Sequence, residues 1–499
     1  MSEVAFNIRT GRTFSLVRKY GWLLTVAVAL GGQFIPQLGL IVPLIMVSLI
    51  AMSLLRGRYW CGNFCPHGSF FDEILLKISR FSLIPDFLKT RPAAALVFLF
   101  FIFNISRNFV SILDAGGAVP FHHRLGFLFA NTYLMVLVVG GLLGVLINPR
   151  TWCQFCPMGT MQMGFHRLGR ALNLTAGREE KVTVDHPERC LSCGQCARVC
   201  PMELEPYRDF QEYEEHNQLE AEKCIRCKTC VENCPAGVLQ MATDEEAKQI
   251  RENADLDGFV GAEYFQARLS EITELKEDVR EYTFDLMDPG EMNFQPGQFL
   301  LLEVEEKRDL YRAYTISSAS PDNSSVTVTI KRLDDGYGTN IIFSEFEKGD
   351  LVRLKGPLGN DIRIDTEEHE NLLLVANGIG ITPFVSTVER FFIDDYAEEF
   401  KGEVKLLYGV RHEEDLVYHD FFSQVEEENE NLDYHHILSR PRSDDHPQGY
   451  VTHILDDLEL DGNTGVYMCG TPAMIDDAGE ILEDKGMSSS DINTESFDV

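Results

Sequence analysis

Two cysteine runs carry the densest chemistry in this chain. They are Cys190-x2-Cys193-x2-Cys196-x3-Cys200-Pro201 and Cys224-x2-Cys227-x2-Cys230-x3-Cys234-Pro235. Three thiolates on one tight loop reach three irons of a cubane, a fourth ligand completes it, and proline ends the turn. Zinc is the alternative, but it usually takes two CxxC pairs to supply its four ligands. Two octets that both end in Cys-Pro suit iron–sulfur clusters, and so one-electron transfer.

A second set of thiols sits in a repeat. Arg58-Tyr59-Trp60-Cys61-x3-Cys65-Pro66-x-Gly68-Ser69 matches Arg150-Thr151-Trp152-Cys153-x2-Cys156-Pro157-x-Gly159-Thr160. Two of the three tryptophans fall at equivalent places in it. Parallel repeats imply a pseudo-twofold axis with a shared site at their interface. There Cys61, Cys65, Cys153 and Cys156 supply four thiolates, enough for one further iron–sulfur cluster. Interfacial tryptophans beside inert buried cysteines are the alternative. His67, His122, His123 and His166 read as ordinary histidines rather than haem ligands.

These residues need elements to hold them. Gly21 to Leu55 contains no charged residue. The break at Gln33, Pro36, Gln37 and Gly39 suggests two short spans joined by a turn, since one such helix would far exceed a bilayer core of about 30 Å. A second pair is expected at Pro92 to about Leu113 and Leu125 to Pro149, giving an α-helical membrane domain of about four spans over residues 1–160. Arg9, Arg12, Arg18, Lys19, Arg56, Arg58, Lys89, Arg91 and Arg150 flank the spans. By the positive-inside rule the protein is then a multi-pass inner-membrane protein whose soluble domains face the cytoplasm. No secretory cleavage pattern precedes the spans.

Charge divides the chain. Net charge is −33, yet residues 1–185 hold 17 Lys and Arg against 8 Asp and Glu, while the remainder holds 27 against 69. An acidic soluble part argues against nucleic acid as a partner. Thiols at cluster spacing require a reducing compartment.

The paired runs are similar to a bacterial two-cluster ferredoxin. That resemblance implies crossed ligation, with Cys190, Cys193, Cys196 and Cys234 on one [4Fe–4S] cluster and Cys224, Cys227, Cys230 and Cys200 on the other. Together with the Cys-Pro hairpins, residues 15–240 resemble the membrane polyferredoxins of the NapH/NosR type, which implies electron exchange with a quinone. The second repeat departs from that pattern by having x2 between its cysteines. A ferredoxin domain over 186–243 is expected between connectors at 161–185 and 244–261, the first beginning as an interfacial helix.

Beyond residue 261 the pattern changes to short alternating strands punctuated by Pro296-Gly297, Asp334-Asp335-Gly336 and Gly356-Pro357-Leu358-Gly359, as in an antiparallel β-barrel over 262–364. An α/β domain follows over 365–499. Arg312-Ala313-Tyr314-Thr315 and the ordered motifs after it resemble the ferredoxin–NADP reductase superfamily. The resemblance implies that Arg312 pairs with the FAD pyrophosphate, Tyr314 lies on the isoalloxazine ring and Thr315 bonds near N5. Gly338 and Thr339 belong to the loop that holds the pyrophosphate. Strand Leu372–Ala376 leads to Gly378-Ile379-Gly380-Ile381-Thr382-Pro383, which resembles the nicotinamide loop at a helix N-terminus. Ser439-Arg440, Tyr450, Cys469-Gly470 and Phe497 follow in the family's order, Cys469 beside the nicotinamide C4 and Phe497 near the flavin. Ser439, Arg440 and Tyr450 suit a 2′-phosphate, while Asp444 and Asp445 would repel it, so NADH is slightly favoured over NADPH.

The whole reads as a membrane-bound NAD(P)H:acceptor oxidoreductase. Electrons pass from NAD(P)H through FAD and two [4Fe–4S] clusters to a membrane-face iron–sulfur site and a quinone or other membrane partner. A flavin is required because hydride carries two electrons and clusters take one. Flow in reverse to NAD(P)+, or redox sensing, are the other readings. Oligomeric state is not encoded.

Overall fold

The uncharged stretch Gly21–Leu55 does not run as one helix. In the computed structural model, which describes residues 6–114, 119–212, 217–360, 362–364, 369–393, 400–460, 463–488 and 491–496, it breaks near its middle. Trp22–Ala29 is an eight-residue helix, 3-10 turns follow at Gly31–Gln33 and Pro36–Leu40, and a helix resumes over Ile41–Arg56. Pro36 has no N–H to donate into a continuing helix. The break also lets two backbones touch: a Cβ on Gly39 would lie 1.9 Å from the Gly126 carbonyl oxygen, and one on Gly126 2.1 Å from that of Pro36. Among the described residues three helices are long and apolar enough to cross a membrane, by length and composition: Pro36–Arg56, Arg91–Asp114 and Phe121–Leu146. Four were expected. The first hairpin supplies one rather than two because its leading arm stops after eight residues.

Both repeats fold alike. Short helices at Tyr59–Asn63 and Thr151–Phe155 carry the first cysteine of each, and helices at Pro66–Phe70 and Pro157–Ala171 start with proline directly after the second. Proline suits that first position, where its missing N–H costs nothing. Residues 6–10 form a strap over this assembly: Ile8 N–H donates to Arg198 O at 3.0 Å, Arg198 Nε to Phe6 O at 2.9 Å, and Thr10 Oγ1 to Asn233 Oδ1 at 3.1 Å. The stretches expected as connectors hold regular structure. Strand β1 (Lys181–Val184) pairs antiparallel with β2 (Leu239–Ala242), and Asp244–Glu252 is a helix with a Thr243/Glu246 capping box.

From residue 263 the alternation of apolar residues builds an antiparallel barrel. Its strands are β3 (Glu263–Lys276), β4 (Val279–Asp288), β5 (Phe299–Glu305), β6 (Leu310–Ala319), β7 (Ser325–Lys331) and β8 (Leu351–Leu358). They close in the order β3-β4-β7-β6-β5-β8. A parallel sheet follows, with β9 (Asn371–Asn377), β10 (Val404–Val410), β11 (Leu432–Leu438), β12 (Thr464–Gly470) and β13 (Ile492–Ser496) in the order β11-β10-β9-β12-β13. Strand β9 is apolar from Leu372 to Ala376 because both of its faces are covered there. Leu372, Leu374 and Ala376 enter one core, Leu373 and Val375 the other. Each large side chain so buried contributes about 1.5–3 kcal/mol. The chain divides into two compact units, one comprising most of residues 5–255 and the other residues 256–499 with the tripeptide Leu191–Cys193.

Candidate functional site

The two cysteine runs share a backbone device. The second and fourth positions after the first cysteine are left-handed in both: Ser192 and Gly194 in one run (φ 47° and 68°), Arg226 and Lys228 in the other (φ 53° and 63°). Three of these four are not glycine, and such residues collect where a loop must curl around a ligand. The electrostatic neighbours of Cys230 are Cys227, Cys224, Cys200 and Cys196, and those of Cys200 include Cys227 and Cys224. Cys200 thus sits with the 224–230 run, the arrangement expected for crossed ligation. Its Sγ accepts a hydrogen bond from Leu204 N–H at 3.4 Å. Cys190, Cys193 and Cys234 are half-buried and Cys196 is buried.

The repeat cysteines converge. Cys61, Cys65, Cys153 and Cys156 line one cavity of about 180 Å³, whose other walls include Leu49, His67, Phe101, Ile105 and Tyr133. Burial first, and the neighbouring sulfurs next, push the Cys156 thiol up to about 12, and Cys65 and Cys153 also rise. Thiols held in that way become thiolates only against a cation.

Hydrogen-bond donors surround these sulfurs. Gln162 Nε2 donates to Cys61 Sγ at 3.0 Å, Arg150 Nη1 to Cys153 Sγ at 3.4 Å, and Gly68 N–H to Cys65 Sγ at 3.4 Å. Donors of this kind tune a cluster's potential. Arg58, Arg150, Gln162 and Asp72 were not among the expected site residues. Arg58 and Arg150 already open the two aligned repeats, but nothing in the spacing marks Gln162 or Asp72, which reach the site from outside the matched positions.

In the barrel, Arg312, Tyr314 and Thr315 lie on β6, with Thr315 opposite Phe299 in register. Gly338 opens helix Tyr337–Glu345 against Arg312: a Cβ there would lie 2.9 Å from both Cγ and Nε of that arginine. A helix N-terminus beside a guanidinium fits a phosphate. Thr339 Oγ1 instead braces the loop, accepting from Leu333 N–H at 3.2 Å. The Tyr314 hydroxyl is buried without a partner, which fits a polar group supplied by a bound flavin.

The parallel sheet ends in a cleft of about 910 Å³ lined by Gly378, Gly380, Ser439, Tyr450, Gly470 and Thr471, among others. Thr382 and Pro383 start the helix behind it and are buried. Arg440 is not on the cleft wall: its N–H donates to Arg411 O at 2.9 Å. Cys469 lies on β12 beside Ala376 and Glu495 and is fully buried. Burial, then the Glu495 charge, raise its thiol well above the usual value. Phe497 lies outside the described residues.

A barrel with a phosphate cradle, a nucleotide cleft on a parallel sheet and cysteine runs define the class of flavin- and nucleotide-binding oxidoreductases with iron–sulfur domains. Residues 266–361 match the oxidoreductase FAD-binding domain, and 374–480 the oxidoreductase NAD-binding domain. Residues 189–239 match the 4Fe-4S dicluster domain, and 38–82 and 130–175 each match the 4Fe-4S binding domain. The toluate 1,2-dioxygenase electron transfer component of Pseudomonas putida is 30% identical over 47% of this chain and 67% of its own length. A glycine betaine monooxygenase reductase subunit of Chromohalobacter salexigens is 26% identical over 44% and 60%. Ferredoxin–NADP reductase B of Sorangium cellulosum is 28% identical over 48% of this chain and all of its own length. The chain belongs to this family of FAD- and NAD-binding oxidoreductases, of the ferredoxin–NADP reductase type, and carries 4Fe-4S domains beside it.

Proposed function

We propose that this protein is a membrane-bound NAD(P)H:acceptor oxidoreductase of the NapH/NosR-like kind, with NADH as donor and a quinone or comparable membrane carrier as acceptor. The observation that carries the reading is the convergence of Cys61, Cys65, Cys153 and Cys156 on one cavity walled by apolar residues from all three long helices. In the same chain the described flavin and nucleotide sites stand ready to take hydride. When bound, the flavin supplies the conversion of a two-electron donor into one-electron transfers. Arg312 and the helix at Gly338 hold its phosphates, Tyr314 covers the ring and Thr315 lies near N5. Gly378, Gly380 and Gly470 admit the dinucleotide. The ferredoxin cysteines would hold the clusters that relay electrons onward, and the basic flanks of the spans support a cytoplasmic side for the soluble parts.

Anaerobically purified full-length protein tests this. NADH should reduce a soluble dye and a quinone, and Cys61→Ala or Cys153→Ala should abolish quinone reduction while keeping dye reduction. Unimpaired quinone reduction by both variants would leave the apolar helices as an anchor only.

A further inference from the structure

The two repeats treat their arginines differently. Arg150 binds Asp72 through two bonds, Nε to Oδ1 at 2.9 Å and Nη2 to Oδ2 at 2.7 Å, and Arg18 pairs with the same carboxylate. Arg58 begins the other repeat and is 2% exposed. Its guanidinium reaches only neutral carbonyls and sulfur: Cys153 O at 3.2 Å, Lys223 O at 3.5 Å and Cys61 Sγ at 4.0 Å. Its Nε has no partner, and among the described residues no carboxylate pairs with it.

The repeat explains the asymmetry. Each arginine packs against the glycine of the opposite repeat: a Cβ on Gly159 would lie 2.7 Å from Arg58 Nη2, and one on Gly68 3.0 Å from Arg150 Nη1. The alignment that equates Gly68 with Gly159 places Met163 where Asp72 stands. One guanidinium therefore has a carboxylate, and the equivalent position of the other repeat supplies a residue without charge. A buried cation without a counter-anion is strongly unfavourable, and arginine does not escape by losing its proton. The ionisable groups facing Arg58 are the thiols of Cys61, Cys153 and Cys156, with Lys223 and Cys224 of the second ferredoxin run also close by.

We propose that Arg58 is the buried counter-cation of the iron–sulfur centre held by Cys61, Cys65, Cys153 and Cys156, and that it raises that centre's reduction potential. The inference rests on the reading that these thiols hold such a centre. A cluster on four thiolates is anionic, and taking up one electron makes it more so; a fixed positive charge in a dry site favours that step. The electron comes from a reduced cluster of the ferredoxin segment, and no bond or proton is exchanged. With no carboxylate paired to it among the described residues, the charge of Arg58 acts on the centre, and electrons are drawn toward the membrane end.

The experiment is a redox titration of full-length, anaerobically purified protein in detergent, followed by paramagnetic resonance, with iron counted in parallel. Arg58→Gln should lower the midpoint of the third centre by at least about tenfold in its reduction equilibrium, or about 59 mV for one electron, with a smaller shift in the cluster of the 224–230 run, whose Cys224 also feels Arg58. Arg58→Lys should recover most of the shift. Met163→Asp retains Arg58 but places a carboxylate opposite it, and should also lower the midpoint; it decides the matter if the Arg58→Gln protein does not assemble. An unmoved midpoint with iron content intact overturns the role of Arg58. Iron sufficient for only two clusters in the unmodified protein overturns the underlying reading, and this inference with it.

Discussion

Asn377 and Thr471 grip each other across the ends of β9 and β12. The Asn377 Oδ1 accepts from Thr471 N–H at 2.9 Å, and its Nδ2 donates to Thr471 Oγ1 at 3.0 Å. Both residues line the nucleotide cleft, so this pair fixes the distance between the two loops that receive the dinucleotide. Asn377→Ala removes both bonds. At about 1 kcal/mol for a net hydrogen bond, the KM for NADH should rise roughly fivefold or more with FAD content unchanged. Steady-state kinetics with a dye acceptor checks it; an unchanged KM would show that the loops are held by packing alone.

Flavin retention depends on how closely Gly338 approaches Arg312. Gly338→Ala forces a methyl to within 2.9 Å of the arginine side chain and should displace it, lowering bound FAD nearly as far as Arg312→Ala does. The ratio of flavin to protein absorbance measures this.

Crossed ligation makes a sharp claim about Cys200. Its place beside Cys227 and Cys224 means that Cys200→Ser should perturb the cluster of the 224–230 run and spare the one on Cys190, Cys193 and Cys196. Paramagnetic resonance of the reduced variant separates the two. Loss of the cluster on Cys190, Cys193 and Cys196 alone would reverse the assignment.

Asp72 is the one carboxylate between Arg18 and Arg150, within a π-helical turn over Phe71–Leu75. Asp72→Asn leaves two buried guanidiniums without a counter-anion and should destabilise the unit containing the repeats by about 3–5 kcal/mol. Chemical denaturation in detergent, followed by tryptophan fluorescence, gives the value. Trp152 lies in the same core.

Burial keeps the Cys469 thiol protonated well above the ordinary thiol range. A raised value means the neutral form persists as pH rises, so flavin reduction by NADH should be flat between about pH 6 and pH 9, where a free thiol would titrate. Stopped-flow rates across that range test it. Cys469→Ser should keep flavin yet slow its reduction, and an unmodified rate would remove the residue from the reaction.

What the sequence made legible follows a physical rule. Cluster ligands and phosphate loops must be local, so Cys190 to Cys200, Cys224 to Cys234 and Gly378 to Pro383 announce themselves by spacing. The alternation on β3 to β8 and the unbroken apolar run of β9 announce their sheets in the same way. Contacts between distant segments leave no such trace: Gln162 reaches Cys61 across 101 residues, within a stretch that reads as a connector. The break near Gly39 was legible in the sequence, but hydropathy does not show that the arm before it stops as a helix after eight residues, so four long helices were expected where three are found among the described residues. Arg58 was visible as a conspicuous residue of the repeat, but its lack of a carboxylate emerges only when Asp72 is seen on Arg150.

The strap over residues 6–10 bears on how this protein is made. Phe6 and Arg198 are joined across 192 residues, so the segment that emerges early from the ribosome has no fixed place until the first cysteine run has been synthesised. Thr10 must wait longer, for Asn233 and the end of the second run. Translation order therefore leaves this side of the ferredoxin loops uncovered until both runs have been made. The strap is a late contact by necessity, and a chain halted before Asn233 should be cut by protease within residues 6–10, where the finished chain resists.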